Sequence, residues 1–418
     1  MHPVPDHCPV RAARGVDAAR AGREGRQQLC RAVLVALGIA LWPLDTFAHD
    51  PGAWGGLFRT RDGGATWSAA NAGSFVSGAI ALAVSPVDPN HLLLATDSGV
   101  SRSRNGGRDW ELEAPDVLVG PAFAAAHDAD GQRALVSVAL AIFGNDGDGW
   151  RAIWVPADAA PARALVAGPA PGRVYLSGWS GLYRSDDWGA SWQSVSDGLP
   201  EEPVDALVVA PAPAEAVFAI AGGHVWASFD RAGHWQPRGV GLPSDPIESL
   251  TLEYSDPTRV WAVAAGQLFH SADRGERWRP VGRPLPERNT TVRGLIVSGS
   301  TIVAATDRGV RREILVRGLP AHLEAGFLMR DPTSPSTIYA GFALTAPDAL
   351  RRQAAEGRSA LMRLSMSNLA GGAAFLALLM LGAIVLLRRL ARSSYRATQA
   401  EPPAPAAGRP SKSSEVAR

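Results

Sequence analysis

The chain has 418 residues, enough for two ordinary domains or one large one, and its 46% apolar and 19% charged residues suit a folded globular protein. A net charge of +1, with no Lys/Arg-rich stripe through the body of the chain, argues against a nucleic-acid surface. The two cysteines, Cys8 and Cys30, both lie near the start, which excludes a disulfide scaffold and a cysteine nucleophile in the body of the chain.

Residues 1–31 carry six arginines, residues 32–42 (AVLVALGIALW) are apolar, and Pro43 and Thr46-Phe47-Ala48 follow. A basic flank, a short apolar core and small residues read as a secretory signal cut after Ala48, so residues 1–48 are assigned to a signal peptide with a long leading region. Eleven helical residues rise about 16 Å, too little to cross a bilayer core of about 30 Å. Cleavage there would leave His49 at the amino terminus, where amine and imidazole can chelate copper; this is a weak candidate. The other histidines show no ligand spacing, and no metal or cofactor is assigned.

Residues 60–67 (TRDGGATW) open a series: a small hydroxyl residue, then Asp, Gly and Trp at fixed offsets. Residues 103–110 (SRNGGRDW), 185–192 (SDDWGASW) and 271–278 (SADRGERW) keep the frame. Residues 228–235 (SFDRAGHW) lose only the Gly, and residues 143–150 (FGNDGDGW) lose the hydroxyl. The tryptophans Trp67, Trp110, Trp150, Trp192, Trp235 and Trp278 stand at intervals of 43, 40, 42, 43 and 43, the length of a four-stranded propeller blade. At Asp62, Asn105, Asn145, Asp187, Asp230 and Asp273 the side chain can accept backbone N–H bonds and pin a hairpin turn. The Gly supplies a positive φ, and the Trp buries a ring between neighbouring sheets.

The clearest repeat predicts strands at residues 80–85, 91–96, 100–104 and 109–113. Later inner strands are expected at 164–167, 206–210, 248–252 and 293–298, and second strands at 174–178, 217–221, 260–264 and 301–305. Third strands follow at 181–184, 224–227 and 267–270. The first copy shows only a third and a fourth strand (56–60 and 67–70), the last only a first and a second (326–330 and 336–343). Joined, they make one blade, which removes the open edges of the ring. With five complete internal blades and a degenerate one at 292–315, residues 49–346 read as an all-β, seven-bladed β-propeller closed by pairing of its N- and C-terminal strands. Six or eight blades stay open, because residues 359–366 read as a further strand.

Residues 347–363 are assigned to a juxtamembrane linker. Residues 364–387 hold no charge over 24 residues, about 36 Å of helix and enough to span a membrane with some tilt. Arg388, Arg389, Arg392 and Arg396 follow, so the positive-inside rule puts the Pro/Ala/Ser-rich tail, 388–418, in the cytoplasm. That tail is expected to be disordered. The propeller would then lie in the periplasm or outside the cell, with the membrane as a partner through one C-terminal helix.

The frame S/T-x-D-x-G-x-T/S-W resembles the Asp-box, or bacterial neuraminidase repeat, of sialidases, sortilin-type receptors and photosystem II assembly propellers, over residues 54–344. The resemblance implies the fold and makes the Asp-box a structural corner away from the active centre, so it says little about chemistry. A sialidase would look like three arginines on a carboxylate, a Tyr nucleophile with a Glu partner, and an acid/base carboxyl. The Phe/Tyr-Arg-Ile-Pro segment that should precede the first Asp-box does not occur. Glu253-Tyr254 comes nearest to the nucleophile pair, but neighbours on a strand point to opposite faces. Residues 145–149 are acidic and Gly-rich, and since they fall on the Asp-box register a turn explains them without calcium. Loops between second and third strands crown one face of a propeller, opposite the Asp-box turns. Asp97, Trp179, His224, Gln267 and Asp307 hold comparable loop positions and are the candidate ligand-facing residues; the plainer reading makes them exposed turns. Resemblance to the photosystem II assembly propeller implies a non-enzymatic protein that docks or assembles membrane-protein complexes with protein partners. The alternative is an exo-acting, sialidase-like glycosidase.

Overall fold

The computed structural model describes residues 55–355 except 72–75, 77, 212–214, 285–289, 313, 316–318 and 321–322, together with 380 and 382. The expected signal peptide, His49, the further strand at 359–366, most of the 364–387 segment and the tail lie outside the described residues. Among the described residues no helix is long and apolar enough to cross a membrane.

The chain enters with β1 (Gly56–Thr60) and β2 (Ser68–Ala69). The first complete blade is β3 (Ala79–Val84), β4 (Leu92–Thr96), β5 (Gly99–Ser103) and β6 (Glu111–Leu112). The second is β7 (Ala122–His127), β8 (Ala134–Val138), β9 (Ala141–Asn145) and β10 (Trp150–Ile153); the third is β11 (Ala164–Ala167), β12 (Val174–Ser177), β13 (Leu182–Ser185) and β14 (Gln193–Ser194). The fourth comprises β15 (Val204–Val209), β16 (Val217–Ala221), β17 (His224–Ser228) and β18 (Gln236–Pro237). The fifth comprises β19 (Ile247–Glu253), β20 (Asp256–Ala264), β21 (Gln267–Ser271) and β22 (Arg279–Val281). The sixth, the degenerate one, is β23 (Val292–Ser298), β24 (Thr301–Thr306), β25 (Gly309–Arg312) and β26 (Ile314–Leu315). Then β27 (Glu324–Asp331) and β28 (Ser334–Ala343) meet the first two strands in a closing blade of order β2-β1-β28-β27. All seven sheets are four-stranded, so the fold is a seven-bladed propeller.

Closure runs from Gly56↔Phe342 to Thr60↔Ile338. Phe58 and Phe342 pack edge to face at 5.3 Å, with Val303 and Leu323 of the adjoining blade junction in the same cluster. Second strands are covered on both faces, which is why they read as unbroken apolar runs: Leu92, Leu93, Leu94 and Ala95 are fully buried.

Each full corner is built on its first residue. Ser185 Oγ accepts from the N–H of Gly189 (2.7 Å) and of Asp187 (3.2 Å) while donating to Asp187 Oδ1 (2.7 Å). Asp187 then takes the Ser191 N–H at 2.8 Å and its hydroxyl at 2.6 Å. The corners that begin at Thr60, Ser103, Ser228 and Ser271 repeat the hydroxyl's bond to the fourth residue on, at 2.8–2.9 Å. Where Gly is lost, Ala232 holds the left-handed backbone itself, at φ 65°. Where the hydroxyl is lost, Asn145 retains a single turn bond, to the exposed Gly147 N–H. The tryptophans reach back to the preceding blade: Trp110 Nε1 donates to Ala70 O (2.7 Å), Trp235 to Val195 O (2.8 Å) and Trp278 to Arg238 O (3.1 Å). Trp192, which follows the hydroxyl-less second blade, has no acceptor for its indole.

The corner carboxyls sit below their ordinary range. The Thr66 and Thr60 hydroxyls hold Asp62 down, and Ser271 holds Asp273 down. The folded chain therefore favours their ionised form. This stabilisation is full above the unfolded carboxylate value of about 4 and drains as pH falls below it. Melting temperature is expected to drop steeply below about pH 4, and less so in an Asp62→Asn, Asp273→Asn double variant. Ser185→Ala strands the buried Gly189 N–H and is expected to cost about 1–3 kcal/mol in urea unfolding, against no more than about 0.5 kcal/mol for Asn145→Ala.

Candidate functional site: the upper mouth of the channel

Strand order gives the ring two unlike faces. Asp-box corners and first-to-second strand turns share the lower face. The upper face carries the second-to-third turns, the connections between blades and the starts of the inner strands.

At the upper end the inner strands carry a β-bulge in six blades, between Ala79 and Ala81, Ala122 and Ala124, Val204 and Ala206, Ile247 and Ser249, Val292 and Gly294, and Ala325 and Phe327. Bulges re-aim the extra residue. In the fourth, fifth and sixth blades that residue is charged: Asp205, Glu248 and Arg293. Arg163, which donates its N–H to Ser177 O just before β11, stands at the matching point of the third blade. Glu248 accepts the Val292 N–H at 2.7 Å, tying fifth blade to sixth, and Arg293 pairs with Glu324 of β27 at 2.9 Å.

Helix α1 (Pro347–Ala355) lies across this mouth. Proline at its first position and Asp348 in its first turn suit a helix start, and Ala346 O accepts from Ala349 N at 2.9 Å. These are the first nine residues of the segment expected as a linker. Asp348 pairs with Arg351 (2.9 Å) and faces Arg163 at 3.7 Å, while Arg163 also holds Asp205 at 2.9 Å. Arg351 reaches Arg163 O at 3.2 Å. The helix thus leaves the closing blade and is fastened on the far side, at the third. Burial opposes the charge of Asp348, but Arg351, Arg163 and Arg293 outweigh it and keep its carboxyl below the usual range. Burial pushes Asp205 the other way, and Asp348 adds to that rise.

The five ligand-facing candidates are spread one to a blade at the upper end. Asp97, Trp179 and Asp307 lie in second-to-third turns, whereas His224 and Gln267, expected in loops, are the first residues of β17 and β21, paired with Ala221 and Ala264 because the turns before them are only two residues long. Asp97 and Asp307 occupy the Thr-Asp-x-Gly turns 96–99 and 306–309, in which the Thr hydroxyl bonds the Gly carbonyl at 2.8 and 2.7 Å. Asp307 accepts the Thr291 N–H at 3.2 Å, and Gln267 spends its amide on Leu268 O and Val281 O, both at 2.9 Å. His224 is exposed and Trp179 half-buried. The Trp179 loop is latched to Asp158, whose carbonyl takes the Trp179 N–H (2.7 Å) and whose carboxylate takes Ser180 and the Tyr183 hydroxyl. A Cβ on Gly178 would lie 2.5 Å from Asp158 O, so this close approach needs glycine there.

At the lower face Glu253 is buried against Arg259 (3.1 Å) and the Trp261 indole (3.4 Å), whereas Tyr254 is exposed with the Arg330 guanidinium 4.9 Å over its ring. The two side chains part, because Glu253 closes β19 while Tyr254 stands in the turn that leads to β20. Among the described residues no three His, Asp or Glu side chains gather as a metal-ion site.

Sequence reasoning missed the charged mouth and α1. One signal was present: Arg163, Asp205 and Arg293 each stand alone at the head of an otherwise uncharged inner strand, and Glu248 heads a strand whose other charge, Glu253, is at its far end.

No protein-family model matches the chain, and no curated protein does. Solved structures share its fold. YCF48 bound to a D1 peptide is 13% identical, covering 70% of this chain and 97% of its own, with a TM-score of 0.49. The GH74 xyloglucanase from Xanthomonas campestris is 18% identical over 70% of this chain and half of its own, at 0.48. The extracellular domain of BT4673 from B. thetaiotaomicron is 13% identical over 65% of this chain and 38% of its own, at 0.50. Likeness at this level concerns the fold and carries no ligand or chemistry with it.

Arg351→Ala removes the bond from α1 to Arg163 O and the pair within the helix to Asp348, leaving only the 3.7 Å approach of Asp348 to Arg163. Amide exchange over 347–355 is expected to quicken about tenfold while blade amides keep their protection; unchanged exchange of α1 would contradict the fastening.

Proposed function

We propose that the chain is an extracytoplasmic scaffold propeller, held to the cytoplasmic membrane by residues 364–387, that docks protein partners and helps membrane-protein complexes assemble. The path of α1 carries this reading. It leaves β28 on the upper face, lies over the channel mouth and ends at Ala355, close before the uncharged stretch. The few residues between reach at most about 30 Å, so a ring anchored this way stands close above the bilayer. Tethering raises its effective concentration beside membrane-bound clients. The turns at Asp97, Trp179, His224, Gln267 and Asp307 then face those clients, since rigidly mounted loops are where scaffolds bind. Neither a cofactor nor nucleic acid enters this reading.

A photo-crosslinker replacing Trp179 or His224 in the full-length chain is expected to capture one discrete integral membrane protein in native membranes. The same group replacing Asp146, on the lower face, is expected to capture none. Release of the chain by an alkaline carbonate wash, or turnover of a fluorogenic sialoside by the pure chain, would contradict the proposal.

A further inference from the structure

The exposed large apolar side chains of the ring are unevenly placed. Val87, Tyr254 and Phe229 stand singly on the lower face and Val240 on the rim, as scattered surface residues do. Leu344, Leu112, Val117, Val119, Leu140 and Trp154 are all on the upper face, with Val119 68% and Trp154 72% exposed.

These six form one arc. Ala343, next to Leu344, bridges Gly78, whose carbonyl takes the Asp97 N–H in the first blade's upper turn. At the end of that turn, a Cβ on Gly99 would lie 3.4 Å from Leu112 Cδ1. The loop that carries Val117 and Val119 continues to Gly120, where a Cβ would touch Ala139 at 3.4 Å, beside Leu140. Ile153 pairs with Ile142, which brings Trp154 alongside the β8–β9 turn. The arc therefore runs from the closing blade through the first and second to the approach of the third. The charged mouth and α1 fastenings take up the third to sixth blades.

Resting on the anchored reading above, we infer that this arc is a lipid-contacting surface: its six side chains enter the headgroup region, and the ring sits on the bilayer by its upper face. Three observations favour lipid over a protein occupant. The chain leaves the ring on this same face, toward residues 364–387. The side chains stand out of the surface, and none of them lines the recess around Asp62 and Ser298 or the one around Phe229 and His234, both on the lower face. Finally, Trp154 is the residue type that settles at membrane–water boundaries, its ring apolar and its N–H polar. The loop between β6 and β7 carries Glu113 and Asp116 and no basic residue. Contact then depends on apolar insertion and not on attraction to anionic lipid, and should be insensitive to salt.

Full-length chain with Cys8→Ser and Cys30→Ser has no other cysteine. Single cysteines carrying a bimane label would be placed at Val119 or Leu140 above, and at Val87 or Phe229 below. The protein would be reconstituted in phosphatidylcholine vesicles with and without a headgroup-region nitroxide lipid. Upper labels are expected to be quenched roughly threefold more than lower ones, equally at low and high salt. Equal quenching of both faces overturns the inference. So does an upper face shielded from aqueous iodide yet not reached by the lipid nitroxide, which would mean that protein covers the arc. If the chain fails to float with the vesicles, the anchoring reading falls with it; if it floats and the upper labels stay bright, only this inference falls.

Discussion

Antiparallel pairing of β1 with β28 is the constraint on which the rest of the structure depends. Seven twisted sheets can surround a channel only if the last finds the first; otherwise two blades keep open edges, with unpaired N–H and C=O groups. Here one blade is built from both ends of the ring-forming chain, its Phe58 and Phe342 packed edge to face in a shared core. Closure also fixes direction. Since β28 runs from the lower face to the upper, whatever follows it must emerge over the upper mouth, and α1 does.

The blades are held to one another less by loops than by repeated corner chemistry. A buried hydroxyl, a carboxylate below it and a tryptophan donating to the previous blade recur, with visible consequences where one part is missing. Without its hydroxyl the second blade's corner loses the buried bond and keeps exposed ones, from Gly147 N to Asn145 and from Asp148 N and Arg151 to Asp146, and Trp192 beyond it is left without an acceptor. Without glycine the fourth blade puts Ala232 into a left-handed conformation. At Asp230 the partner is His234 (2.5 Å) in the position that Thr66 and Ser191 fill elsewhere. The frame tolerates loss of its hydroxyl or of its glycine because the ring over-determines each corner.

The fold was legible because its determinants are local and periodic. Trp67 to Trp278 announce the blade length, Asp62 and its counterparts announce the turns, and half-repeats at the two ends announce the closure. Strands such as 164–167 and 217–221 fall where the apolar runs put them. The outermost strands are shorter than the sequence suggests: β6 is Glu111–Leu112, because beyond the corner only a brief ladder faces solvent. The mouth was not legible, since Arg163, Asp205, Glu248 and Arg293 are distant in sequence and come to one face only when the ring closes, the last three re-aimed by bulges. Nor was α1, whose helix is secured by a guanidinium from another blade and not by its own brief periodicity. The turn position of Asp307 was readable, but its employment as a latch was not, because it depends on Thr291 N; Gln267, expected in a loop, begins β21 and bonds Val281 O.

Imaging the full-length chain in a lipid nanodisc would test most directly whether closure at β1–β28 sets both the ring and its orientation. Seven sheets should surround the channel, with β1 in the closing blade and α1 between the channel mouth and the disc. A β1 strand standing apart from β28, or a ring meeting the disc by its Asp-box corners, would contradict that arrangement.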